Sequence, residues 1–289
     1  MRSPVGRLWF LLPLLLAAGC YTPQPGKVGS PLKPTQMSTE SVALEIISVR
    51  IPSGEPELSR KLWEEVDEQH LPADVRKRLA RNGYRVGIVG SQVPANLVAI
   101  LDLKDRPQAM GEPQQVNLAD LREPPRVSLR HLQTRSGQRN EIVASGVYEH
   151  LPVLLADGGE LRGETYNQAQ GVFTLVATPQ SDGRVRIELT PELHHDHARQ
   201  QWVGDQAMWR LEASRPKRVF DDLRISAVLS SGSMLLLGSQ PDRAGSLGHS
   251  FFMEGAGQDN RMEQKLLLVR LCQTQHDDLI VPPTTGGTP

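Results

Sequence analysis

The densest cluster of residues able to do chemistry is Glu192-Leu193-His194-His195-Asp196-His197. Imidazoles and carboxylates are the side chains that ligate divalent metals. Their spacing works against a shared ion, because neighbours on one strand point to opposite faces. A second acidic group, Glu64, Glu65, Asp67 and Glu68, falls in a stretch of helical periodicity and reads as a solvated helix face. Trp202 and Trp209 flank Gly204-Asp205 and read as loop packing. The short basic run 215–218 reads as a solvated loop. No nucleophile elbow, phosphate-binding loop, dinucleotide fingerprint or paired-histidine zinc helix occurs. The expectation is therefore no catalytic residue, no cofactor, no resident metal, and no enzyme.

The chain has 2 cysteines. Cys272 adjoins the apolar run 266–271 and reads as a small buried core residue. Cys20 closes a different kind of segment. Arg2 and Arg7 are followed by the apolar stretch 8–16, interrupted by Pro13, which is too short to span a bilayer and has signal-peptide flanks. It ends Leu16-Ala17-Ala18-Gly19-Cys20, which resembles a bacterial lipobox with Ala17 where Leu is commoner. The resemblance implies a signal peptide over 1–19, cleavage before Cys20 and lipidation of that thiol. Acyl chains contribute about 0.8 kcal/mol per buried CH₂, so several on one residue anchor stably. The other reading is an ordinary secretory signal with an incidental cysteine. Tyr21 follows, not Asp; by resemblance to proteobacterial lipoproteins this implies the outer membrane. Residues 20–40 carry Pro23, Pro25, Pro31 and Pro34, which forbid regular structure and read as a tether. With Cys20 given to lipid, no disulfide framework is available.

With 289 residues the chain can hold one or two domains. A formal net charge of -1 gives no electrostatic case for nucleic acid. Aromatic residues at 4% argue against stacking platforms for bases or sugars.

The elements that must position any site follow from periodicity. Over 41–51, Val42, Leu44 and Ile46 share one phase and Ile47, Val49 and Ile51 the other, which predicts a strand with a bulge or burial on both faces. Residues 57–70 read as helix. Pro72 opens another that Asn82-Gly83 stops. Tyr84, Val86 and Ile88 alternate as a strand, and 94–101 reads as a short helix. Residues 41–103 thus form a small α+β module. Residues 104–125 are a Pro-containing linker, with Pro107, Pro113, Pro124 and Pro125.

Beyond the linker, 126–132, 141–144 and 151–155 read as short strands, with Gly158-Gly159 and Gly163 marking a loop. Then comes the run GVFTLVATPQSDGRVRIELTPELH, 171–194. Val172, Thr174 and Val176 alternate with Phe173, Leu175 and Ala177. After Ser181-Asp182-Gly183, Val185, Ile187 and Leu189 alternate with polar residues, which predicts an antiparallel hairpin. Strands over 223–229 and 234–237 follow, joined through Gly232 and ended by Gly238. Residues 126–274 therefore read as all-β with no convincing helix, and 275–289 as a flexible tail. The fold class is an α+β N-terminal module followed by an all-β domain.

This order of pieces resembles the C-terminal β domain of secretins, the multimeric outer-membrane channels of bacterial type II and III secretion and type IV pilus systems. The resemblance covers roughly 126–274. Its pieces are the polar turn Ser136-Gly137, Gly146 with Pro152-Val153-Leu154, and the run from Gly171 through Pro179, Asp182, Gly183, Pro191 and Glu192. Gly232 with Leu235-Leu236-Leu237-Gly238 and the final strand at Leu266-Leu267-Leu268 complete it. The chain departs in two places. Ser239 stands where the family carries a second Gly. The family's membrane-facing lip is reduced to Ser246-Leu247-Gly248-His249-Ser250-Phe251-Phe252.

The resemblance implies a secretin-like envelope lipoprotein, structural or accessory in a protein secretion or pilus export assembly. It would face the periplasm from the outer membrane on its lipid, as a homo-oligomer or bound to other secretion proteins. The shortened lip implies a chain that does not seat a barrel in the membrane. The alternative is a monomeric envelope lipoprotein that uses the β domain to bind or scaffold.

Overall fold

The computed structural model describes residues 40–53, 56–101, 126–205, 208–256 and 261–275. Cys20 with its signal segment, the tether, the linker and the tail lie outside these residues, apart from a few residues at the segment ends. All described residues belong to one unit, Ser38–Pro289.

The protein is mostly β, in two antiparallel sheets with a few helices. Strand β1 (Ser41–Pro52) leads into helix α1 (Pro56–Glu64), a 3-10 turn (Glu68–His70) and α2 (Ala73–Arg81). Strand β2 (Tyr84–Val89) and α3 (Ala95–Ile100) follow. Beyond the linker come β3 (Val127–Arg135), β4 (Arg139–Asp157), β5 (Glu160–Pro179) and β6 (Val185–His194). Then come β7 (Arg199–Asp205), β8 (Met208–Ser214), β9 (Lys217–Val219), β10 (Ile225–Leu229) and β11 (Met234–Ser239). Helix α4 (Leu247–Phe252), β12 (Met253–Ala256) and β13 (Arg261–Gln275) close the chain.

The first sheet has the order β2-β11-β13-β1-β3, with β12 also on β13; the second has the order β10-β6-β5-β4, with β9 also on β6; β7 and β8 form a separate pair. The two phases of β1 explain the first sheet. Val42, Leu44 and Ile46 pack with Phe173, Leu175, Ile187 and Leu189 of the second sheet, in the larger core. Ile47, Val49 and Ile51 pack with Leu62 and Trp63 of α1, Leu97 of α3, and Leu266 and Leu268. The first sheet is thus buried on both faces, and a register shift at Ala43/Leu44 supplies the expected irregularity. A strand buried on both faces cannot show simple alternation.

Strands from both sides of the linker share this sheet. β1 pairs with β3 and β13, and β2 pairs with β11. The segment 41–103, expected as its own α+β module, supplies two strands to a sheet completed by residues after 126.

Other expectations meet the structure as follows. The hairpin of 171–194 is present as β5–β6, with Gly183 at φ 79° in its turn. The short strands expected over 141–144 and 151–155 are parts of one long strand, β4. It is carried through a register shift between Val143 and Val147. The loop expected at Gly158-Gly159 is a tight turn joining β4 to β5, with φ 55° and 98°. Glycine reaches that left-handed region without a Cβ penalty. The strand over 234–237 leaves the sheet of its predecessor. β10 pairs β6, whereas β11 crosses to lie between β2 and β13. All six residues of β11 are buried, which only a doubly covered sheet allows. The expectation of no helix after 126 fails at α4, six residues capped by Ser246, whose hydroxyl accepts from His249 N.

Candidate assembly surface

Glu192 is the chemical centre of the second sheet. It sits on β6, on the face turned away from the core, yet its side chain has no solvent exposure. Its Oε1 accepts from Thr174 Oγ1 at 2.7 Å and from Arg139 at 3.0 Å. Its Oε2 lies 3.3 Å from His194 Nε2 and 3.3 Å from Lys217 Nζ. Burial works against its charge, but the hydrogen bonds of Thr174 and His194 and the Lys217 ammonium hold the carboxyl below the ordinary value of 4.5. One carboxylate thereby ties β4, β5, β6 and β9 together.

Candidate ligand atoms of Glu141, Glu192 and His194 lie within 4.8 Å of one another. The cations of Arg139 and Lys217 already occupy the oxygens of Glu192, so the arrangement is an ion-pair hub. The other residues of the sequence cluster do not converge there. His195 pairs with Asp196 at 3.0 Å and lies tilted against the Tyr166 ring, centroids 5.2 Å apart, and His197 is exposed. Arg139 and Lys217 carry no local sequence signal, because each lies on another strand.

The motif residues have steric and turn roles. A Cβ on Gly171 would stand 2.9 Å from the Phe251 ring, and one on Gly238 would stand 2.9 Å from Leu266. Gly232 holds φ 83°. Pro179 is buried at the end of β5, and the buried Pro191 accepts a hydrogen bond from Phe220 N at 3.0 Å. Asp182 Oδ1 accepts from Arg184 N at 3.0 Å in the hairpin turn. The Arg184 guanidinium holds the Asp182 carboxyl below its usual range.

The segment 246–252 points inward. Leu247, Phe251 and Phe252 of α4 are fully buried. Phe251 packs edge-on to Phe173 and Tyr84, with ring centroids 5.1 and 5.6 Å away. Gly248 presses against Gly83, where an added Cβ would meet backbone at 2.3 Å.

The second sheet ends on β4, a strand of 19 residues with β5 on one side and, among the described residues, no strand along the other beyond an isolated bridge of Leu154 to Ser246. Val143 and Val147, either side of its irregularity, are each 54% exposed, and Leu154 is 43% exposed. Side chains and loops stand in along parts of the open edge. Gly146 N donates to Glu254 Oε1 at 3.1 Å, and Lys265 Nζ donates to Ala144 O at 2.7 Å. Arg50 pairs with Glu254 at 3.3 Å. Burial pushes the Lys265 ammonium below its usual value, against the opposing pull of Glu254. Leu154 N donates to Gly245 O, and Ala156 N donates to Asn82 Oδ1. A groove of about 840 Å³ follows this edge between Tyr148, Met253 and Lys265.

No family model and no curated protein matches the chain. Among solved structures it is similar to the InvG secretin domain beta-barrel from the Salmonella SPI-1 injectisome NC-base. The identity is 14% and the TM-score 0.21, over 86% of this chain and 64% of that one. The chain thus spans less than two thirds of that protein. What it does must be read from its own residues. No helix among the described residues is long and apolar enough to cross a membrane.

Cys272, expected in the core, is half-buried, and burial pushes its thiol up to about 11. Such a thiol stays protonated and inert at neutral pH.

Proposed function

We propose that this chain is a secretin-like envelope lipoprotein, a structural or accessory component of a protein secretion or pilus export assembly. It is held to the outer membrane by lipid on Cys20 and faces the periplasm. It pairs a sheet edge with further copies or with partner proteins. The supporting observation is the open edge of β4, in the sheet that bears the motif run from Gly171 to Glu192. An edge of this length with exposed valines is a template for another strand. The inward packing of Leu247, Phe251 and Phe252 supports an accessory role, since these side chains are spent in the core.

A monomeric binding or scaffolding module is the second reading. It is favoured by the chain's own groups at Ala144, Gly146, Leu154 and Ala156 along that edge.

Two measurements test the proposal. Cys20→Ser is expected to abolish acyl labelling and membrane partition; equal partition without label in both proteins refutes the lipid anchor. Cross-linking in intact cells, followed by mass measurement on detergent extracts, is expected to show multimers or defined partners. Large stable conductances from ring-shaped particles in planar bilayers would replace the accessory role with a channel.

A further inference from the structure

The outer side of β4 is treated differently at its two ends. At the far end, Leu154 and Ala156 give their amides to Gly245 O and Asn82 Oδ1, and Asn82 Nδ2 returns a hydrogen bond to Ala156 O at 3.0 Å. Asn82 is buried and caps α2, so these contacts belong to the fold itself. At the near end the partners are ionic side chains. Glu254 takes the Gly146 amide, and Lys265 covers the Ala144 carbonyl. Donor and acceptor are supplied as a neighbouring strand would supply them. Between the two ends lie Tyr148, His150 and Pro152. Among the described residues no strand pairs with them on this side; Tyr148 Oη donates to Ser250 O at 2.8 Å and to Met253 O at 3.2 Å, and Pro152 has no N–H to offer.

We infer that 144–150 of β4 is a strand-acceptor site for a second copy of this chain, and that Glu254 and Lys265 are the guard that keeps it closed in the free protomer. The inference rests on the edge-pairing reading above. The choice of a second copy follows from two features. Val143 and Val147 on β4 expose apolar surface beside the edge, which pairing would cover. Among the described residues, β3 forms the border of the first sheet with no strand outside it, and it exposes Leu129, so each copy presents a second sheet edge there. Unlike edges on one chain give head-to-tail contact, which closes into rings where the rotation allows.

The guard is made for release. Side chains, not backbone, hold the near end, and Glu254 is shared with Arg50 and Lys265. A strand arriving at Gly146 and Ala144 offers the same donor and acceptor, while Glu254 keeps Arg50 and Lys265 as partners. The exchange therefore leaves no buried polar group unpaired.

The test compares the mature lipid-anchored protein in detergent with the double variant Glu254→Ala/Lys265→Met. Mass and amide exchange at Gly146 are read together. For purified protein that has not been cross-linked, the expected result is a monomeric wild type and a variant whose mass at least doubles, with slower exchange at Tyr148 and His150. Glu254→Gln keeps an acceptor for Gly146 and is expected to stay monomeric. Val147→Lys in the double-variant background is expected to restore the monomer, which separates strand pairing from aggregation of unfolded chain. A wild type already multimeric through this edge overturns the guard and leaves edge pairing standing. A double variant that stays monomeric with unchanged Gly146 exchange also overturns the guard. A monomeric double variant whose Gly146 exchanges on the order of tenfold faster overturns the second-copy site and the edge-pairing reading together.

Discussion

Replacing Glu192 by Gln removes one charge from a fully enclosed site while keeping the shape of the side chain. The amide oxygen can still accept from Thr174, which is itself buried. The amide nitrogen, however, takes the place of an oxygen that faced the Lys217 ammonium, and donor then meets donor. Hydrogen bonds to charged groups are worth about 1.5–3 kcal/mol each. Arg139 is 63% exposed and Lys217 is 44% exposed, so both recover water when released, and most of their share cancels. A net loss of about 2 kcal/mol remains for Glu192→Gln, which for a body of this size is roughly 4–8 °C in Tm. Glu192→Ala also strands the Thr174 hydroxyl and leaves a void, for about 4 kcal/mol. The pH dependence follows from sign. The folded carboxyl is held below 4.5, so its contribution is complete above that value and is lost as pH falls through the lower folded value. Thermal melts of wild type and Glu192→Gln should differ at pH 7 and converge in strong acid. Equal Tm at pH 7, or a gap that stays constant into acid, would refute the hub.

Ile187 is fully buried and Arg186 is exposed. Ile187→Asp should therefore unfold or destabilise by several kcal/mol, while Arg186→Gln stays within about 0.5 kcal/mol; equal melting shifts contradict the alternation. Gly171→Ala drives a Cβ to 2.9 Å from Phe251 and should cost about 1–3 kcal/mol, part of which Phe251→Leu restores in denaturant titrations of the double variant. The Tyr84 hydroxyl is fully buried with no hydrogen-bond partner among the described residues, and burial pushes it well above the usual value for tyrosine. Tyr84→Phe should be neutral or stabilising by up to about 1 kcal/mol; a clear loss in Tm would reveal a partner for that hydroxyl.

The alternation of 171–194 was enough to place the β5–β6 hairpin, its turn at Gly183 and its core face at Val185, Ile187 and Leu189. The two phases of β1 announced burial on both faces. The caps at Pro72 and Asn82-Gly83 located α2. These are local properties, set by side-chain period and by which residues tolerate a left-handed backbone, and they are written in neighbouring residues. The expected loop at Gly158-Gly159 shows where this stops. The turn residues were legible, but the pairing of β4 with β5 depends on partners in register, which no window of sequence contains. The place of β11 between β2 and β13 was likewise hidden, because alternation names a face and not a neighbour. The hub and the edge are the strongest case. Arg139 and Glu192 are 53 positions apart, and Gly146 and Glu254 are 108 apart. In sequence each is an ordinary charge or glycine. Only the folded chain, which gathers Thr174, Arg139 and Lys217 around Glu192 and lays Glu254 and Lys265 beside Gly146 and Ala144, sets their roles, since burial and proximity are properties of tertiary structure.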